Sequence, residues 1–415
     1  MSERDISHWL AKIPSSWQYV PLKRLADVVT GTADTIDADP DGQFDFVVRS
    51  STLKKAKIYT FDCEAVITAG DGAVGEVFHH LDGKFLAHQR TYVIHNFRGI
   101  EARFFFYYFS AFFRYMCQDG SAKTTVDSVR RWMLTDMPIA VPPREVQRHI
   151  VQFLDAETAS IDNARAMVQK LTELADELKI ATVNQLCFGE LRAQVDQIDY
   201  YLPYSPHRNT YLAIRSACGE LPNGWRYLRF KNIARRTRNR NEDGNLEMLS
   251  LRQTGEVVYR SSTAQNQEPS EESIPKYLAV SPGNLVLNPM WLRGGAVGVS
   301  ELRGAVSPDY RVFELSEEID ASYLGIILRS RPFIEQYKLL ERAETTFDRR
   351  IQQVDLDNLP IPAPPLEIQK QIVRQIDEKF AADNVMRPTL TRVAELLTER
   401  RSALITAAVT GELEV

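Results

Sequence analysis

Four histidines, His79, His80, His88 and His95, stand within one stretch of the chain, and spaced ligands of that type are the raw material of a metal site. The residues around them alternate as in β-strands, where neighbours face opposite ways, so the four are expected to decorate a surface. Pro40-Asp41 with Asp82 and Lys84 imitates the PD…DxK order of nucleases, yet Asp82-Gly83-Lys84 reads as a turn. Asn288-Pro289-Met290-Trp291 imitates the Asn-Pro-Pro-aromatic motif of amino methyltransferases but lacks the second proline. Nothing upstream of it resembles a nucleotide-binding βαβ unit for S-adenosylmethionine. The glycines of "GDGAVGE" (70–76) are wrongly spaced for a dinucleotide fingerprint, and no GxxxxGK[ST] loop is present to hold a nucleoside triphosphate. These motifs yield no catalytic residues and no metal ligands.

What remains is recognition. "RYLRFKNIARRTRNR" (Arg226–Arg240) carries seven basic residues and no acidic one, interleaved with tyrosine and phenylalanine. Smaller clusters are Arg49 with Lys54, Lys55 and Lys57, then Arg130-Arg131, and Arg349-Arg350. Any one of these reads as a solvated face. Their recurrence at related places, "KTT" ahead of Arg130-Arg131 and "ETT" ahead of Arg349-Arg350, favours a phosphate-bearing partner. A net charge of −5 argues mildly against binding over the whole surface and leaves room for a local basic face.

The elements that must position such residues come from a duplication. "MPIAVPPREVQRHIVQFLD" (Met137–Asp155) returns as "LPIPAPPLEIQKQIVRQID" (Leu359–Asp377), and the ungapped match continues to "GEL" at Gly189–Leu191 and Gly411–Leu413. A second anchor opens each half, "IPSSWQYVPLKRLADVV" from Ile13 and "LPNGWRYLRFKNIARRT" from Leu221. Between anchors the halves agree sparsely, as in "GAVG" at Gly72–Gly75 and Gly295–Gly298. A period this long is a tandem copy of an entire domain-plus-helix unit, not a solenoid.

After Pro143 and Pro365, which suit a helix start, the pattern turns helical. Leu154, Ile161, Val168 and Ala175 recur every seven residues, with Ala164, Leu171 and Leu178 interleaved. In the second copy Ile376, Leu390, Leu397 and Leu404 keep the same phase, with Met386, Val393 and Ala407 interleaved. Each helix should run for roughly 45 residues, about 65 Å at 1.5 Å per residue. The seam predicts an antiparallel pairing of the two helices within one chain, favoured over a homodimeric coiled coil because the duplicate is a partner at high effective concentration. The preceding blocks, with strands such as "FDFVVR", "EAVIT", "RTYVIH", "GNLVLN" and "YRVFEL" and one helix each near Ala102–Met116 and Ala321–Leu340, read as mixed β-rich domains.

The predicted class is therefore α+β: residues 1–140 form a first recognition domain, 141–191 a long helix, 192–220 a linker, 221–362 a second domain and 363–415 a second long helix. The run "FFFYYFSAFF" (Phe104–Phe113) is too short to span a bilayer and is read as a core helix. Four scattered cysteines and an N-terminal stretch without an apolar signal region fit a reducing cytoplasm.

The doubled proline–helix motifs, the two openings and the bodies "GDGAVGEVFHHLDGKFLAHQRTYVI" and "NLVLNPMWLRGGAVGVSELRGAVSPDYRVFEL" resemble type I restriction–modification specificity subunits over nearly the whole chain. The resemblance implies two target-recognition domains that each read half of a bipartite site in double-stranded DNA, spaced by an antiparallel helix pair. It implies two adenine-N6 methyltransferase subunits as docked partners, carrying S-adenosylmethionine, and two motor–nuclease subunits carrying ATP and magnesium. The chain itself would be non-catalytic, hold no cofactor and contact no membrane. On this reading the DNA-contact candidates of the first domain are Arg49, Lys54, Lys55, Gln89, Arg90, Lys123, Thr124, Arg130 and Arg131. Those of the second are Arg235, Arg236, Arg238, Arg240, Arg252, Gln253, Arg293, Tyr310, Arg311, Arg349 and Arg350. The rivals are a stand-alone regulatory DNA-binding protein, a self-sufficient methyltransferase or nuclease, and a structural coiled-coil adaptor.

Overall fold

The two matched openings become the same edge ribbon. In the computed structural model, which describes residues 13–117, 128–188, 213–214, 218, 221, 223–262, 270–341 and 350–413, strand β1 (Gln18–Pro21) pairs antiparallel with the strand that precedes the first long helix. Leu22 and Leu25 of the following turn α1 (Leu22–Leu25) are buried, and Leu22 N–H donates to the Met137 carbonyl at 3.0 Å. Chain order then gives β2 (Asp27–Thr30), β3 (Phe44–Val47), β4 (Lys54–Ala56), β5 (Phe61–Asp62), β6 (Ala65–Ala69), β7 (Phe78–Leu81), β8 (Lys84–Ala87) and β9 (Thr91–His95). Helix α2 (Ala102–Cys117), turn α3 (Arg131–Thr135) and β10 (Pro138–Val141), the partner of β1, complete the domain.

Period-2 alternation makes β6 and β9 the centre of this domain. They lie inside an antiparallel sheet ordered β2-β9-β6-β7, and every residue of β6 is buried. Val66 and Ile94 join the core formed with the aromatic face of α2, while Ala65, Ile67 and Val93 pack with Val47, Phe85 and Ala87 of the second sheet, ordered β4-β3-β8-β5. The apolar run Phe104–Phe113 thus covers one face of a sheet whose other face is covered by a second sheet.

The second domain repeats the plan: β11 (Arg226–Arg229), α5 (Phe230–Ile233), β12 (Ala234–Thr237), β13 (Leu249–Leu251), β14 (Val257–Tyr259), β15 (Leu278–Val280), β16 (Leu285–Leu287), β17 (Val297–Val299), β18 (Gly304–Val306) and β19 (Arg311–Leu315). Helices α6 (Ala321–Leu328) and α7 (Arg331–Leu340), turn α8 (Gln353–Asp357) and β20 (Pro360–Ala363) follow. The sheet order β12-β19-β16-β17 matches that of the first domain, and β11 pairs with β20 as β1 does with β10. The single helix expected over Ala321–Leu340 is instead two, broken at Arg329–Ser330. Pro332 supplies the reason: its ring fits the first turn of α7 but could not continue α6. The shared "GAVG" is also explained. Gly75 has φ of 72° and a Cβ there would press on the Arg114 backbone, while one on Gly298 would collide with the Gly255 carbonyl.

Each domain runs into a helix of 45 residues, α4 (Arg144–Phe188) and α9 (Leu366–Thr410). Gly411, with φ of 73°, ends α9, and Leu413 N–H reaches back to the Ala407 carbonyl. Contacts divide the chain into two units, residues 1–170 with 390–415, and 171–389. Helix pairing is visible inside each. In the first, Arg400 meets Glu157 and Arg401 meets Asp162, both at 3.3 Å. In the second, Arg387 bonds Asp176 at 2.6 Å and Lys179 bonds Asp383, the order antiparallel helices require.

The seam differs from the expected one. Leu154, Ile161 and Ile376 are buried, and Val168, Leu390, Leu397 and Leu404 are half-buried. Leu171 and Leu178, expected inside, are 44% and 67% exposed, and Val393 is also on the surface. Ala164 and Ala175 are half-buried as expected, Thr158 is buried, and beyond Val168 the half-buried positions are Thr172 and Lys179, each one residue on from Leu171 and Leu178. Asp383, buried on α9, pairs with Lys179 of α4 and with Arg387 one turn along its own helix.

Candidate nucleic-acid interface

In the first domain three loops are tied together by backbone hydrogen bonds. Gly70 N–H donates to the Arg90 carbonyl at 2.8 Å, and Val129 N–H donates to the Gly70 carbonyl at 2.8 Å. Asp71 and Ser128 form a bridge beside them. This brings together the β6–β7 loop, the β8–β9 turn and the segment ahead of α3. Asp71 then takes two candidates at once: Arg49 Nη1 lies 2.6 Å from Oδ1 and Arg90 Nη1 3.0 Å from Oδ2. Burial alone would raise the Asp71 pKa, but the hydrogen bonds and charges of Arg49 and Arg90 outweigh it and hold the carboxyl below its ordinary value.

His88 anchors the β8–β9 turn. Its buried ring accepts from the Arg90 N–H through Nδ1 at 3.0 Å and meets Thr35 Oγ1 through Nε2 at 3.4 Å. Burial, and next the charge of Arg49, lower its pKa, so the ring is neutral with its proton on Nε2. Gln89, one residue on, donates to Asp34 at 2.9 Å. Arg130 is exposed next to this cluster. Other candidates are engaged elsewhere. Lys55 pairs with Asp45 across β3 and β4 at 2.9 Å, Lys54 is exposed on the adjoining position, and Arg131 donates inward to the Val28 carbonyl. Lys123 and Thr124 lie outside the described residues.

In the second domain the candidates fall into several groups. Arg235 pairs across the ladder with Glu314, whereas Arg236, next along the strand, and Arg238 and Arg240 beyond it are exposed. Arg252 bonds Glu256 at 3.0 Å across the β13–β14 turn. Gln253 lies against Gly294 and Gly295, next to Arg293, which pairs with Glu341 at 3.2 Å. Tyr310 packs on the inner core and begins the turn into Arg311. Arg311 donates to the Ile351 carbonyl at 2.9 Å; burial, then the charge of Arg236, depresses its pKa to about 10. Arg350 bonds Asp309 at 2.9 Å, and Arg349 lies outside the described residues. Trp291, 52% exposed, caps the loop that carries Arg293.

The histidines do not converge. His80 bonds Glu64 at 2.9 Å, His79 meets the Ser50 carbonyl, and His88 is buried. Among the described residues no group of three or more His, Cys, Asp or Glu side chains could hold a metal ion. Asp71 is the functional candidate that reading by charge missed; its signal is the Gly-Asp-Gly setting immediately ahead of the shared "AVG".

Two β-rich domains of one plan, each bearing its own basic loops and each running into a 45-residue helix, define a two-headed recognition protein. Residues 14–173 match the family model described as the type I restriction modification DNA specificity domain, and the chain is similar to type I restriction–modification specificity subunits. It is 24% identical over 407 residues to the type I restriction enzyme EcoDI specificity subunit of Escherichia coli, covering 97% of this chain and 90% of that one. It is 26% identical over 152 residues to a putative type I restriction enzyme specificity subunit, S.HindORF215P, of Haemophilus influenzae, covering 35% and 38% of the two chains. A solved structure described as the structural basis of complex assembly and conformational transition of the type I restriction–modification system shares the fold. Its TM-score is 0.60 at 17% identity, over 97% of this chain and 99% of that one.

Proposed function

We infer that this chain is the DNA-reading, non-catalytic subunit of a type I restriction–modification complex, each domain reading one half of an asymmetric bipartite site. The observation that carries the reading is the contrast between like scaffolds and unlike loops. The helix-covered sheet and the terminal ribbon agree in order between the domains, whereas the loop that holds Asp71 between Arg49 and Arg90 in one domain holds Arg293 on Glu341 in the other. Readers of two different half-sites need that combination. Phosphate contacts set register, and a few loop side chains set sequence.

The two long helices would serve as the spacer that sets the separation of the half-sites. They also present the same docking surface twice, to two adenine-N6 methyltransferase subunits, with two motor–nuclease subunits completing the restriction complex. S-adenosylmethionine then belongs to the methyltransferase partner, and ATP and magnesium to the motor–nuclease. No helix among the described residues is long and apolar enough to cross a membrane, and the complex would work in the cytoplasm. The test is modified-base sequencing of the source genome with and without this gene. A two-part motif with N6-methyladenine in both halves should vanish on deletion, and an unchanged methylation map would refute the assignment.

A further inference from the structure

Arginines that contact DNA face a choice between phosphates, which every sequence offers, and base edges, which only some do. In the first domain that choice is biased by a fixed carboxylate. Asp71 sits between Arg49 and Arg90, each guanidinium taking a different oxygen, at 2.6 and 3.0 Å. The carboxylate is the inner partner: its side chain is 17% exposed, while Arg49 and Arg90 are 44% and 58% exposed. Its backbone is pinned, because Gly70 is hydrogen-bonded to Arg90 and Val129, and Asp71 itself bridges to Ser128. Each guanidinium spends one of its five N–H donors on this partner, which leaves donors on its outer side.

The geometry points to Asp71 as a specificity-determining residue that discounts phosphate contacts by Arg49 and Arg90 and directs the pair to neutral acceptors on a base edge, those of guanine. This rests on the DNA-reading assignment. A phosphate approaching the pair meets two positive charges and one negative charge between them, so its attraction is cut by like-charge repulsion at short range. Guanine O6 and N7 carry no net charge, suffer little of that repulsion, and match a guanidinium held in a fixed orientation. The second domain is built differently at the corresponding place, since Gly294 stands where Asp71 stands and no carboxylate can bridge there.

The experiment uses the full chain with its methyltransferase subunits, a duplex carrying the methylated motif and a duplex of scrambled sequence. Binding is followed by fluorescence anisotropy across a salt series. Asp71→Asn should tighten scrambled-duplex binding by about tenfold, steepen its salt dependence by about one to two phosphate contacts' worth, and so narrow the gap between motif and scrambled duplex. In an Arg49→Ala/Arg90→Ala background the same substitution should raise binding of both duplexes alike and leave their ratio unchanged. Asp71→Ser is the second variant, should the amide disturb the loop. The inference is overturned if scrambled-duplex binding is unchanged or weaker in the variants, or if they lose only motif binding, which is what a purely structural clamp would do. If the unaltered complex does not distinguish the two duplexes, the DNA-reading assignment itself fails, and this inference with it.

Discussion

Gln147 and Gln369 make the same three hydrogen bonds in the two halves of the chain. Gln147 Nε2 donates to the carbonyls of Pro142 (2.8 Å) and Gly99 (3.4 Å), and Oε1 accepts from Glu101 N–H at 2.7 Å. Gln369 Nε2 donates to Pro364 (2.9 Å) and Glu318 (3.2 Å), and Oε1 accepts from Asp320 N–H at 2.8 Å. Both side chains are fully buried. Each glutamine therefore locks the start of a long helix to the segment that opens its own domain's packing helix, α2 or α6, so the reader cannot pivot freely on its helix.

Replacing either glutamine with leucine keeps the volume but strands one buried and two part-buried backbone groups. The loss should be about 2–4 kcal/mol at each site, since an unsatisfied buried group costs roughly 1–3 kcal/mol. Chemical denaturation of the two single variants is the check. Changes below half a kcal/mol would mean that water replaces the amide and that the lock is dispensable.

The ion network on the helices makes a second prediction. The hydrogen bond from Lys179, then that from Arg387, holds the Asp383 carboxyl below its ordinary pKa. A depressed folded pKa contributes stability that is present above the usual carboxylate range and is lost as pH falls through the folded value. Asp383→Asn should therefore cost about 1–3 kcal/mol near neutrality, as expected for hydrogen bonds to charged groups, and progressively less in acid. Thermal melts from pH 7 down to pH 3 would show the two curves converging. A constant offset would assign the effect to packing.

That network also shows where sequence reading reached its limit. The edge ribbons and the starts of both long helices were legible because proline, glycine and apolar periodicity act locally. Pro332 was a local signal too, and it splits the helix that the apolar pattern alone had joined. The second row of the seam was not legible. Lys179 faces inward onto Asp383, a charge on a helix far along the chain, while Leu171 and Leu178 lie exposed. Asp71 was invisible for a related reason: its role arises only when three separate loops meet.

Half-site independence is the third expectation. Arg293 sits on a loop of the second domain, held by Glu341 next to exposed Trp291. Arg293→Ala should relax or change the bases methylated in one half of the motif and leave the other half intact. Arg238→Ala, on an arginine exposed just beyond β12, should weaken binding of all sequences alike and flatten its salt dependence by about one contact. Methylation maps of the two variants separate these outcomes. A change in both half-sites from Arg293→Ala would contradict one-domain, one-half reading.

The outward leucines carry the last prediction. Leu171, Leu174 and Leu178 are each more than two-fifths exposed and recur at three- and four-residue spacing, so they form one apolar stripe on α4. Such a stripe costs little when covered by a partner and invites association when bare. Converting all three to glutamine should leave the melting temperature of the isolated chain within about a degree or two, because surface substitutions typically change stability by no more than about 0.5 kcal/mol. If the stripe is the docking surface for a methyltransferase subunit, the same variant should lose that subunit on co-purification and leave the genome unmethylated at the motif. A variant that still retains its partner would place the docking surface elsewhere, while one that melts markedly earlier would show that the stripe is packed within the chain itself.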